Sequence, residues 1–364
     1  MNKPKALYIH IPFCKYLCSY CDFTKLQYFS TFVKPYLIKL KEELTSYNIK
    51  ELDTIYVGGG TPTCLEIDEL KGLLETIYPY IYNIKEYTFE ANPDSLTLDK
   101  LKLLKSYGVN RLSIGVESTS NKILKNISRH HTYEDVIRCI KEAREVGFNN
   151  INVDLILGLP NSTLSLLKKD INNILDLDVE HISCYSLTVN ENTKFYIDGV
   201  KEPSEDISRQ YYDLVSSTLK EKGYIHYEIS NWAKKDKYSL HNLTYWKDEQ
   251  YYGVGLGASG YVNNVRYTNT KSINKYLEGV TRFVEEEVTP KQDINYYIML
   301  NLRTIFGLNF ELFNEKFNID LYKTKQAEID EFIKNGFLFI ENNTIIPTYE
   351  GMMILDSIIL KLFL

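Results

Sequence analysis

Short apolar runs alternate with helical patterns through the first half of the chain. Runs at Ala6–Ile11, Thr54–Val57, Glu86–Ala91, Arg111–Gly115, Asn150–Leu155 and His181–Ser186 predict strands. Between them, apolar residues recur at helical spacing over Phe32–Ser46, Ile67–Tyr78, Leu98–Tyr107, Tyr133–Val146 and Ser165–Leu175. Strand–helix alternation at this spacing builds parallel βαβ units. Six of them make an α/β barrel, or an incomplete one, whose site lies at the C-terminal strand ends. The glycine-rich and polar motifs of this chain follow predicted strand ends, as that rule requires.

After about residue 190 the rhythm changes. Asn190–Thr193 and Pro203 mark loops, Glu205–Lys222 reads as a helix and Tyr224–Ile229 as a strand. Gly253, Gly255, Gly257 and Gly260 then punctuate a turn-rich stretch. From about Thr289, helices near Asp293–Leu302 and Thr324–Asn335 precede a hairpin, Leu338–Glu341 and Thr344–Pro347, joined across Asn342-Asn343. Helices plus a hairpin resemble a winged-helix unit. The expected division is 1–190 as the barrel, 191–288 as an α+β extension on its substrate side, and 289–364 as a small terminal domain. Met352–Leu364 is apolar but broken by Asp356, Ser357 and Lys361, and reads as a packed terminal helix.

Composition narrows the picture little. The 364 residues are 44% hydrophobic and 25% charged, ordinary for a globular chain, and the net charge of −6 argues against a large nucleic-acid footprint. No apolar run reaches the roughly 20 residues of a membrane span. Lys3 and Lys5 precede only a short apolar stretch ending at Pro12, which does not read as a signal peptide. Of six cysteines, Cys14, Cys18 and Cys21 cluster, while Cys64, Cys139 and Cys184 are scattered and read as buried small hydrophobes. A disulfide scaffold would be shorter and denser in cysteine. The expectation is a cytoplasmic protein.

The cysteine loop carries the chemistry. Cys14-x3-Cys18-x2-Cys21 puts three thiolates, the usual ligands of iron–sulfur clusters, on one loop after an apolar strand. Three leave one iron of a four-iron cube without a protein ligand, and an open coordination site is where a metal centre binds a small molecule. Structural zinc is the competing reading, but it wants four Cys or His ligands, and His10 is not at an obvious chelating spacing. Gly58-Gly59-Gly60-Thr61-Pro62-Thr63 follows the second strand and lets backbone approach a ligand; it is a plain loop otherwise, and it lacks the Gly-Lys-Ser/Thr of a phosphate loop. Glu90, in Glu90-Ala91-Asn92-Pro93, can accept hydrogen bonds from a ligand amino group, or it caps or pairs within the fold.

In combination these motifs, from Tyr8-x-His10-Ile11-Pro12-Phe13-Cys14 to Asn152-Val153-Asp154-Leu155-Ile156-Leu157-Gly158-Leu159-Pro160, resemble the radical S-adenosylmethionine (SAM) superfamily, in its oxygen-independent coproporphyrinogen oxidase branch. The resemblance implies an incomplete six-unit barrel. It implies that Cys14, Cys18 and Cys21 hold a 4Fe–4S cluster and that SAM binds the open iron. Tyr8 and the backbone at Tyr20 would lie beside them, Gly59, Gly60 and Thr61 would face the methionine end, Glu90 the amino group, and Arg129 and Asp154 would be further SAM contacts, Asp154 on the ribose. One electron into the cluster would cleave SAM to methionine and a 5′-deoxyadenosyl radical. A reductant protein of flavodoxin or ferredoxin type is implied as partner.

Departures within the branch point to one side of it. The oxidases carry a fourth cysteine two positions after the third; here that residue is Phe23, and the chain opens only a few residues before Tyr8. Both features resemble the sister group of HemW-type haem chaperones, whose cargo is haem and whose acceptors are haem-dependent membrane enzymes. Glu117 stands where the branch usually has glutamine, at a further SAM-site position. His241-Asn242-x2-Tyr245-Trp246 is similar to that group's HNxxYW motif, so His241 is a candidate haem ligand; read without the family, a histidine among aromatics is structural. His130 and His131, beside Arg129, fit a cleft lip or a solvated turn equally. The alternative function is oxidative decarboxylation of coproporphyrinogen III.

Overall fold

In the computed structural model, which describes residues 3–364, the first half folds as the apolar rhythm predicts. Strands β1 (Ala6–Ile11), β2 (Thr54–Gly59), β3 (Glu86–Ala91), β4 (Arg111–Glu117), β5 (Ile151–Leu157) and β6 (His181–Ser186) lie side by side in parallel. Helices α1 (Ser30–Ser46), α2 (Ile67–Ile77), α3 (Leu98–Ser106), α4 (Tyr133–Val146) and α5 (Leu164–Leu175) cross between them. The crossovers make an α/β barrel of the expected kind.

The sheet is wider than six strands. Beyond β6 it takes up two antiparallel strands, β7 (Ile225–Glu228) at the edge and β8 (Asn231–Ala233) next to β6. Before β1 it takes up a further parallel strand, β9 (Tyr252–Val254), with Tyr8 opposite Gly253. The glycine-rich stretch that reads as turns therefore begins as a barrel strand. Gly253 answers close packing, since a Cβ there would lie 1.8 Å from the Ser259 carbonyl oxygen, while Gly255 and Gly257, at φ +104° and +72°, turn the chain directly after the strand. The stretch is also tied to α1, where Gly255 donates to Glu43 at 2.9 Å and Leu256 to the Tyr36 hydroxyl at 3.1 Å.

Alternation along the strands separates two environments. Leu7, Ile9, Ile55, Val57, Phe89, Leu112, Ile114, Val153 and Ile182 face the helices and are buried. Each such side chain contributes roughly 2 kcal/mol by leaving water. Helix α4 meets them with Val136, Cys139, Ile140 and Ala143, a run at helical spacing. A Thr132–Asp135 capping box starts α4, and Gly147 in the left-handed region ends it. Cys64, Cys139 and Cys184 are all buried and free, as expected. The alternate strand positions, Tyr56, Glu90, Ser113, Asp154 and Tyr185 among them, line the inside of the barrel, which is polar.

The other end of the barrel is closed by helix Leu240–Trp246. Glu86, first in β3, accepts from the backbone N–H of Leu240 and of His241 at 2.9 and 3.0 Å, satisfying two donors at that helix N-terminus. Residues 290–362 form a separate apolar core around Ile298, Phe313, Ile329 and Ile358. Its helices, Pro290–Asn301, Phe310–Phe317, Gln326–Lys334 and Leu355–Leu362, surround a small sheet containing the hairpin Leu338–Glu341 and Thr344–Pro347. Among the described residues no helix is long and apolar enough to cross a membrane.

Candidate cofactor cleft

The chain from Pro12 to Tyr28 is held from several sides. Cys14 accepts from Tyr28 N–H at 2.8 Å, Phe13 from Thr61 N–H at 2.8 Å, and Ile127 from Ser19 N–H at 3.2 Å. His10, which the candidate set omits, adds a side-chain tie: Nε2 lies 2.7 Å from the Thr24 carbonyl and Nδ1 2.9 Å from the Tyr8 hydroxyl. Burial holds its pKa down to about 4, so the ring is neutral. Tyr8 acts through His10 in this arrangement, supporting the wall from behind.

Cys14, Cys18 and Cys21 line one cleft of about 470 Å³ together with Gly59, Glu90, Asp154 and Arg129. Among the described residues, no three Cys, His, Asp or Glu side chains converge on a point where a single ion could sit. A four-iron cluster makes no such demand, because its thiolates bind separate irons and need not converge. Burial pushes the Cys14 thiol up to about 12 and raises Cys21 as well, so thiolates here require a cationic partner such as iron. Thr61 Oγ1 is 3.6 Å from Cys14 Sγ, and Arg129 Nη1 is 3.7 Å from Cys18 Sγ, so two donors already point at the sulfurs.

The glycine loop crosses under this cleft. Gly59 sits at φ +116°, and a Cβ there would meet the His10 ring at 2.6 Å, so no other residue fits without displacing the histidine. Its N–H donates to Glu90 Oε2 at 2.9 Å, while the Tyr56 hydroxyl donates to Oε1 at 2.8 Å. Burial raises Glu90 to about 7 despite those two donors. Asp154 is likewise raised by burial, and accepts from Asn152 Nδ2 at 2.8 Å. Asn92 donates to Thr61 Oγ1 at 3.0 Å and so fixes the hydroxyl that faces Cys14.

Glu117 stands at a bulge where the β4–β5 register shifts, at φ +65°. It accepts from the Tyr20 hydroxyl at 2.9 Å and faces Arg129 Nη2 at 3.4 Å. Burial pushes Glu117 up to about 7, with Arg129 opposing. Arg129 also donates to the Gly115 carbonyl. The carboxylate that replaces a neutral amide thus has its own cationic partner. Three acids and one arginine, the arginine paired with Glu117, suit a ligand that carries positive charge and hydrogen-bond donors.

Of the sequence-derived candidates, Tyr20, Gly59, Gly60, Thr61, Glu90, Glu117, Arg129 and Asp154 come together on this cleft with the cysteines. His241 does not. It is fully buried beside the first residues of β2 and β3, at the closed end. Nδ1 is 2.8 Å from Thr54 Oγ1 and Nε2 2.7 Å from the Tyr245 hydroxyl, so both nitrogens are committed; burial lowers its pKa to about 3. Its ring packs on Tyr56 at 5.3 Å, placing it beneath the site rather than in it. Tyr56, Asn92 and His10 are functional positions the candidate set lacks. Asn92 and His10 stand within the quoted motifs, whereas Tyr56 carries no signal except its alternation along β2.

The sequence profile of the radical SAM superfamily matches residues 8–174, and that of the HemN C-terminal domain matches residues 288–354. The chain is similar to the heme chaperone HemW of Lactococcus lactis, at 36% identity over 100% of this chain and 98% of that protein. It is similar to the heme chaperone HemW of Bacillus subtilis at 38% identity over 96% and 97% of the two chains. Among solved structures, the coproporphyrinogen III oxidase HemN of Escherichia coli, a radical SAM enzyme, superposes with a TM-score of 0.87 at 21% identity, covering 100% of this chain and 90% of that one. At that identity the likeness speaks for the fold alone.

Proposed function

The chain belongs to the HemW family of radical SAM proteins, and from that premise we propose that it binds a 4Fe–4S cluster, SAM and haem, and passes the haem to haem-dependent membrane enzymes. The observation that carries the cofactor part is the meeting of three thiols, Glu90, Asp154 and Arg129 in one cleft. In this reading Cys14, Cys18 and Cys21 hold the cluster. A cluster held there would supply the electron for SAM cleavage. Glu90, ionised once a cation approaches, accepts from the SAM ammonium group; Asp154 takes the ribose hydroxyls; Arg129, partly neutralised by Glu117, meets the carboxylate. The haem part rests on the full-length likeness to proteins named heme chaperones. The protein would work in the cytoplasm with a flavodoxin- or ferredoxin-type reductant.

A second reading, oxidation of coproporphyrinogen III, is favoured by the completeness of the cluster and SAM residues. Phe23 weighs against it: it occupies the fourth-cysteine position and is 67% exposed at the cleft mouth. The test is anaerobic reconstitution with iron and sulfide, followed by haem titration, with coproporphyrinogen and SAM in parallel. Stoichiometric haem binding without porphyrinogen turnover is expected. Turnover to protoporphyrinogen would overturn the chaperone reading.

A further inference from the structure

Six histidines are spread along the chain, and five are committed within the fold. His10 and His241 use both ring nitrogens, as described. His181 bonds Asn152 at 2.6 Å and Tyr227 at 2.8 Å. His131 is buried against the Val116 carbonyl at 3.2 Å. His226 shares Nε2 between the Tyr212 hydroxyl and the Ile229 carbonyl, and its ring lies on Trp232 at 4.2 Å. His130 differs: it is exposed, and among the described residues neither of its ring nitrogens makes a hydrogen bond.

It lies where a polar hollow, with Asp94 on one side, meets Lys15 and the exposed apolar side chains of the cysteine loop. The His130 ring stacks on Tyr16 with centroids 3.7 Å apart and planes 20° apart, which fixes the imidazole plane and leaves its nitrogen edge clear of the stack. Lys15, Tyr16 and His130 share one shallow hollow with Cys18 and Arg129. Tyr16 also lines the main cleft alongside Phe23, so the hollow is continuous with the cleft mouth. Tyr16, Leu17 and Phe23 are 49%, 43% and 67% exposed, three large apolar side chains on one short loop. Large apolar side chains left exposed on one loop at a cleft mouth suit a binding surface. Lys15 has only a solvent-exposed contact to Glu66 at 3.9 Å, which costs little to exchange.

We propose that His130 is the axial ligand of the bound haem, with Tyr16 stacked on the imidazole to hold its plane, Phe23 meeting the porphyrin and Lys15 meeting a propionate. The inference rests on the haem-chaperone reading above. It moves the haem from the closed end of the barrel, where His241 lies, to the lip beside the cysteine loop. An imidazole with a free nitrogen lone pair ligates iron without breaking any bond of the fold.

Titration of the cluster-loaded protein with ferric haem, read by absorbance and electron paramagnetic resonance, tests it. Unsubstituted protein should give an imidazole-ligated signature. His130→Ala should lose that signature and bind haem about tenfold more weakly, with cluster absorption unchanged, and added free imidazole should restore the signature. His241→Gln should retain it. An unchanged spectrum and affinity in His130→Ala, or loss of the signature in His241→Gln alone, would overturn the assignment while leaving the chaperone reading intact. No haem binding by the unsubstituted protein would overturn both.

Discussion

Glu90 shows how one residue can be poised for a ligand. It is half-buried, bonded by two neutral donors and by no cation, and desolvation raises its pKa to about 7. The sign follows from linkage: the folded carboxyl holds its proton at pH values where the unfolded one has lost it, so ligand-free stability falls as pH rises from about 4.5 through 7. Glu90→Gln should flatten that fall by on the order of 2 kcal/mol, seen as a smaller difference in Tm between pH 5 and pH 8. An undiminished difference would place the titration elsewhere. SAM binding should also weaken below the pKa, where the acid is neutral. At Cys18 the expectation is simpler. Cys18→Ser should abolish the broad absorption of the reconstituted cluster, and full cluster occupancy in that variant would remove Cys18 from the ligand set.

At the scale of elements, the site is two loops braced by a third group. Lys100, on α3, is buried, and its ammonium donates to the Thr63 carbonyl at 2.7 Å and the Ser95 carbonyl at 3.2 Å. It thereby joins the glycine loop to the segment after Glu90, and the Thr63–Ser95 hydroxyl pair at 2.7 Å repeats the link. Lys100→Met leaves two buried carbonyls without their donor. The expected cost is about 2 kcal/mol of stability, with weaker SAM binding in calorimetry and the cysteine loop still able to take up its cluster. Loss of stability with SAM affinity unchanged would reduce Lys100 to a core residue. The parallel strands were legible because each is a short apolar run between helical patterns. Strand β9 was not, because Gly253 reads as a turn residue unless the packing of Ser259 against it is known, and Gly255 and Gly257 do turn the chain directly after it.

At the scale of the whole molecule, the terminal unit is tied back to the barrel side by charge. The Asp248 side chain is buried, 2.6 Å from Arg266 and 3.6 Å from Lys316 of the terminal unit. Burial raises it to about 6, with Lys316 and Arg266 opposing. Asp248→Ala should leave Arg266 without its carboxylate and Lys316 with Asp293 alone, at 3.2 Å, and loosen the junction by about 1–3 kcal/mol. Faster amide exchange in helix Pro290–Asn301, with exchange in the barrel strands unchanged, is the expected reading; protection there equal to the unsubstituted chain would show the ion network to be dispensable. The sequence by itself determined the strand–helix alternation, the three thiols and the acids at strand ends, because period and spacing are local properties of the chain. It also carried the likeness to the HemW group through Phe23. Only the tertiary structure decided which histidine is exposed with neither ring nitrogen hydrogen-bonded among the described residues. His241 lies in a motif and His130 in an ordinary loop, but hydrogen bonding and burial depend on partners 187 residues away in one case and on a stacked ring from the cysteine loop in the other. No local pattern encodes such partners.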